Sequence, residues 1–197
     1  MANKDAAFGL RPLKTVGQQD DSTGMSSYNI SPGDASVIFQ GALVGSPATG
    51  TGYVDLQTAG LVLNLGAFWG TFYNDPTTLK PTFKNYYPGS VTPPNGGAVE
   101  AFVYDSPAQM YEIQSDNAGA SAQTDIFKCA DLAGTSGSTL NGVSSMELGD
   151  STLGTTGQFK IIGVSRDPEN NDIGSANVNW RVMLNESLLG SGTAGAA

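Results

Sequence analysis

The chain has 197 residues, 39% of them hydrophobic and 14% charged, with 26 glycines, 10 prolines, a single cysteine (Cys129) and no histidine. That length suits one domain with a full core, while the missing histidines and lone cysteine exclude Ser-His-Asp and Cys-His nucleophiles, histidine-held haem or iron, and multi-cysteine zinc or iron–sulfur sites. The net charge of −9 is unevenly placed: residues 1–19 carry Lys4, Arg11 and Lys14 against Asp5, leaving six basic and seventeen acidic side chains for the remainder, a balance that disfavours nucleic acid as a partner.

Residues 1–24 are expected to form an extended N-terminal arm. Apolar residues are sparse there, and Arg11 precedes Pro12, which pushes it away from helical geometry. The first residues lack the apolar stretch of a secretory signal, so synthesis in the cytoplasm is expected. No apolar run approaches the roughly 18 residues that span a bilayer, and no membrane partner is expected.

From residue 25 the hydrophobic pattern has a period of two rather than 3.6. Strand-length runs are predicted at 36–40, 53–56, 67–73, 98–104, 109–114, 143–148, 158–164 and 178–184. In the last, Val178, Trp180, Val182 and Leu184 share one face, and Asn177, Asn179 and Arg181 the other. Turn signals such as Ser31-Pro32-Gly33-Asp34, Asn74-Asp75-Pro76, Pro93-Pro94-Asn95-Gly96 and Asn141-Gly142 separate the runs. One short helix is predicted over 120–128, where glycine and proline are absent. Residues 25–189 thus read as one β-rich domain and 190–197 as a short C-terminal tail. The expected fold is all-β: a β-barrel or a jelly-roll-like β-sandwich with an N-terminal arm.

Few residues offer chemistry. Asp167, Glu169, Asn171 and Asp172 place oxygen ligands in one turn, but Asp172 and Val178 stand where an EF-hand requires glycine and glutamate, so the turn reads as an acidic surface loop. Glu100, Asp105 and Glu112 are the carboxylates closest to a glycosidase-like pair. No phosphate-binding, dinucleotide or nucleophile-elbow motif occurs. No catalytic residue, metal ligand or cofactor is assigned, and Cys129 reads as a small buried apolar side chain.

The segment holding Phe68, Trp69, Phe72, Tyr73, Phe83, Tyr86 and Tyr87 is dense in aromatics. Strict alternation puts Phe68 and Phe72 on one face and Trp69 and Tyr73 on the other. One face is core; the other suits a subunit interface or a glycan-stacking platform.

The opening Met-Ala-Asn-Lys-Asp-Ala-Ala-Phe-Gly-Leu-Arg-Pro resembles the N-terminus of small virion structural proteins of tailed bacteriophages, especially those infecting marine bacteria and cyanobacteria. The resemblance continues through Phe72-Tyr73-Asn-Asp-Pro-Thr-Thr, Ala101-Phe-Val-Tyr-Asp-Ser-Pro, Gly142-Val-Ser-Ser-Met-Glu-Leu-Gly-Asp-Ser and Asp167-Pro-Glu-Asn. It implies a capsid decoration or cement protein, acting as a homotrimer on the outer surface of the virion and binding the major capsid protein. The arm, through Phe8, Leu10, Arg11 and Leu13, and the aromatic face, through Trp69 and Tyr73, are the expected contact residues. Removing residues 1–19 is expected to leave a folded body. The rival expectations are another virion part, such as a head fibre, tail or connector component, and a carbohydrate-binding adhesion module.

Overall fold

In the computed structural model the described residues are 3–16, 24–47, 49–116 and 118–190. The ends of the expected arm, residues 1–2 and 17–23, and residues 191–197 of the expected tail lie outside them.

Thirteen strands build the described fold. They are β1 (Arg11–Thr15), β2 (Ser26–Ile30), β3 (Leu43–Gly45), β4 (Asp55–Leu56), β5 (Asn64–Asn74), β6 (Pro81–Lys84), β7 (Val99–Tyr104), β8 (Gln109–Gln114), β9 (Cys129–Ala130), β10 (Leu132–Ala133), β11 (Glu147–Leu148), β12 (Phe159–Val164) and β13 (Asn179–Leu184). A five-stranded sheet runs β1-β8-β13-β12-β9, and a six-stranded sheet runs β2-β7-β5-β3-β4 with β6 also on β5. Every ladder between these strands is antiparallel. The sheets share one core and neither closes on itself, so the sandwich form of the expected fold is the one found.

Alternation in each strand explains the core. β7 turns Val99, Ala101 and Val103 inward; β12 contributes Phe159 and Ile161; β13 contributes Trp180, Val182 and Leu184. Phe68, Tyr111, Phe159 and Trp180 are at most 1% exposed. Each such side chain contributes on the order of 2–3 kcal/mol through removal from water, the main stabilising term for a chain without disulfides. Buried Cys129 sits in this interior, 3% exposed.

A polar knot ties the two layers together at one end. Gln158, fully buried, donates from Nε2 to the carbonyls of Thr58 and Leu61 and to Asn64 Oδ1, and accepts the Leu132 N–H on Oε1. Asn64, at the start of β5, donates in turn to the carbonyls of Leu61 and Glu186. Buried amides on this scale are stable only when satisfied in this way.

Two details differ from the sequence pattern. The predicted helix over 120–128 reduces to one 3-10 turn, Gln123–Asp125, and the chain leaves it in extended geometry at Ile126 before Phe127 adopts a positive φ of 74°. The Asp125 carboxylate accepts the Ala122 N–H and so caps the start of this turn, while the extended geometry at Ile126 ends it. The predicted strand at 36–40 is reduced to bridges at Ile38 and Gln40, and the one at 143–148 to bridges at Val143 and Ser144 followed by β11.

Candidate functional site

The arm is the first element the structure reinterprets. Its β1 pairs with β8 and forms an edge of the five-stranded sheet, and Leu10 just before it is 1% exposed within the core. Leu10 N–H donates to the Gly41 carbonyl at 2.7 Å. The two backbones approach so closely that a Cβ at Gly9 would stand 2.5 Å from that same oxygen, and both Gly9 (φ 70°) and Gly41 (φ 84°) adopt the left-handed conformation.

Charge explains the docking. Lys4 pairs with Glu169 at 2.6 Å, and Arg11 with Glu112 at 3.0 Å. The acidic surface that complements the basic arm is therefore the arm's own body. Polar bonds add to this: the Lys4 carbonyl accepts Asn170 Nδ2 at 2.7 Å and Gln114 Nε2 at 2.9 Å, while Ala6 N–H donates to Gln114 Oε1 at 2.8 Å. Asn3 holds the Asp172 N–H and the Ala176 carbonyl. The acidic turn around Asp167 to Asp172 thus clamps the arm. This cover also explains why Glu112, Gln114 and Asn179, which alternation points away from the core, are nevertheless buried.

The predicted contact residues consequently separate. Phe8, Leu10, Arg11 and Trp69 are brought to one open groove of about 320 Å³, completed by Pro12, Gln40, Gly41 and Val143. The Arg11 guanidinium lies 4.1 Å over the Phe8 ring, a cation–π contact that orders both. Leu13, half-buried on β1, does not line this groove, and Leu10 presents little surface beyond it.

Tyr73 requires correction: it is 2% exposed and belongs to the core. The cause is a β-bulge. Phe68 pairs with Val103 and Gly70 with Phe102, so Trp69 is an extra residue that shifts the alternation beyond it. Phe68 and Tyr73 therefore point inward, Trp69 and Phe72 outward.

The outward side of the six-stranded sheet becomes an aromatic surface. Phe72 faces Phe83 across the β5–β6 ladder, Phe83 lies 6.1 Å from Phe102, and Trp69 meets Tyr104 edge-on at 5.4 Å. Phe72 is 38% exposed and Phe83 57%. Gly70 makes room for this packing: a Cβ there would come 2.7 Å from the Phe83 ring. The aromatic density was legible in the sequence; which rings face water was decided by the bulge.

The carboxylates considered for acid–base work have other partners. Glu112, 6% exposed, accepts Arg11 and the Ser165 hydroxyl. Asp105 accepts the Tyr28 hydroxyl at 2.6 Å, and burial together with this neighbour pushes the phenol up to about 12. Glu100 lies on the other sheet from Glu112. Among the described residues no cluster of three His, Cys, Asp or Glu side chains is placed to hold a metal ion.

Compared with protein-family models, curated proteins and solved structures, the chain matches none.

Proposed function

We propose that this protein decorates and cements a bacteriophage capsid, binding the shell of the major capsid protein from the outside of the virion, as a homotrimer and without catalysis. The observation that carries the reading is the outward aromatic surface of Trp69, Phe72, Phe83, Phe102 and Tyr104, which adjoins the Phe8–Arg11 groove through Trp69. Aromatic side chains on a firm sheet bury large areas with little loss of side-chain freedom, which is what a cementing contact requires. The sequence resemblance to small phage virion proteins supplies the identity of the partner.

The test is reconstitution. Purified protein is added to shells that lack it, and bound copies are counted by image reconstruction. Hundreds of copies per shell support decoration, whereas a handful at one vertex indicates a head-fibre, tail or connector part. Replacing Phe72 and Phe83 together by serine is expected to lower occupancy at least tenfold, and unchanged occupancy overturns the role of this surface. A second reading, glycan binding, is favoured by the position of half-buried Trp69 beside Arg11 and Gln40 in one groove. Glycan-array binding that disappears in Trp69→Ala would establish it instead.

A further inference from the structure

The groove of about 320 Å³ beside the arm is walled by two aromatic rings, each held in place by a neighbour. The Arg11 guanidinium lies 4.1 Å over the Phe8 ring, and Tyr104 meets Trp69 edge-on at 5.4 Å. The backbone at the groove is fixed by the bond from Leu10 N–H to the Gly41 carbonyl and by the β-bulge at Trp69. Pro12 adds a third ring to the lining. Walls ordered in advance lose little freedom when a ligand settles between them.

The polar side chains of the groove, Arg11, Gln40 and Trp69, are one-sided in what they offer. Asn85 Nδ2 donates to the Asn141 carbonyl at 2.8 Å and to Gln40 Oε1 at 3.3 Å, which orients the Gln40 amide and engages its acceptor. Gln40 Nε2 and Trp69 Nε1 are left as donors without an acceptor among the described residues. Arg11 keeps further N–H groups beyond the one that bonds Glu112 at 3.0 Å, and that pairing cancels its charge.

These features select among ligands. Donors with no free side-chain acceptor beside them call for a segment that offers carbonyls without N–H groups, and aromatic walls call for flat apolar rings. Proline supplies both: it lacks a backbone N–H, and in the polyproline II helix its ring packs on aromatic faces while its carbonyl stays unbonded. An acidic segment would meet a guanidinium already neutralised by Glu112. A sugar would bring hydroxyl donors that find no free side-chain acceptor.

We infer that the groove between Phe8 and Trp69 binds a proline-rich segment of a partner protein in polyproline II conformation. Proline rings sit between the two aromatic walls, and the segment's carbonyls accept from Trp69 Nε1, Gln40 Nε2 and Arg11. The inference deepens the capsid reading and rests on it only for the identity of the protein that carries the segment.

The experiment titrates capped decaproline into the full ¹⁵N-labelled chain and follows the indole N–H cross-peaks of its two tryptophans. Trp69 reports the groove, and Trp180, 1% exposed in the core, reports the fold. The Trp69 cross-peak is expected to move and to saturate at or below about 1 mM peptide, with Trp180 unmoved. Phe8→Ala should weaken binding about tenfold and Trp69→Phe about threefold, the latter followed on the Gln40 side-chain amide; an unchanged Trp180 cross-peak shows that each variant folds. Three results overturn the inference: no shift by about 5 mM decaproline; equal binding of capped hexaglutamate or a capped glycine–serine decapeptide; or variants that bind like wild type. Binding of maltohexaose in place of decaproline overturns it in favour of the glycan reading. The titration needs no shell. Decaproline bound by a chain that decorates no shell leaves the inference standing and removes the capsid reading, and a chain that decorates shells without binding decaproline does the reverse.

Discussion

Asp150 and Asp116 are joined through the backbone: the Asp150 N–H donates to Asp116 Oδ1 at 3.0 Å, while both Asp150 carboxylate oxygens are buried without a hydrogen-bond partner among the described residues. Burial, followed by the charges of Asp116 and Asp125, pushes the Asp150 carboxyl up to about 7. A carboxyl raised in the folded state binds its proton more tightly there than in the unfolded chain. Its contribution to stability is complete below the ordinary carboxylate range and is lost as pH rises toward and through about 7.

Asp150→Asn should remove that loss. The expected gain is on the order of 1–2 kcal/mol at pH 8, after allowance for solvent screening, with little effect at pH 4. Urea midpoints measured across this range check it. A gain of equal size at both pH values would sink the ionisation argument and leave a packing effect.

The arm should matter to folding. Leu10→Ala is expected to cost about 2–4 kcal/mol, because it empties a core position beside Gly41. Arg11→Ala should cost about 1–3 kcal/mol by leaving buried Glu112 without its cation. Deleting residues 3–16 should therefore lower the thermal midpoint well below that of the full chain, contrary to the expectation of an independent body. An unchanged midpoint would show that the arm docks without contributing.

Gln158→Ala should be among the more harmful single changes. It removes three donated bonds and one accepted bond at the knot between the layers, leaving buried carbonyls and the Leu132 N–H unpaired. A loss of about 2–4 kcal/mol in chemical denaturation is expected. Gln158→Glu should be no milder, since it keeps the shape but loses the Nε2 donor.

Gly70→Ala tests the bulge. The added methyl would press on the Phe83 ring and the Lys84 carbonyl, 2.7 Å and 2.9 Å from the new carbon. A loss of about 1–3 kcal/mol is expected, together with a changed environment for Phe83 and Phe102 in aromatic NMR spectra. Spectra identical to wild type would show that Gly70 is not what seats these rings.

The sequence was most informative where one face of a strand meets water and the other meets the core. The run from Val178 to Leu184 and the alternation of β7 appear in the structure as predicted, because period two follows from strand geometry. It was less informative where long-range contacts set the outcome. Nothing near Tyr73 in the chain announces the bulge at Trp69, which depends on how β7 pairs with β5. Phe127 fell within a segment of helical composition, yet the backbone bonds from Phe127 N–H to the Ile161 carbonyl and from Ile161 N–H to the Lys128 carbonyl hold it in a left-handed bend. Four of the eight residues lining the arm groove were visible as candidates, but their meeting place was not.

The amino-acid sequence alone determined that this chain is all-β, through local periodicity, and that histidine and paired-cysteine chemistry is closed to it, through residue inventory. It also showed a basic arm and an acidic remainder. Only the tertiary structure decided that Lys4 and Arg11 find their acids in the same chain, and that Leu10 fills the chain's own core. Charge in a sequence states what will attract; which partner is reached depends on where the backbone carries each group.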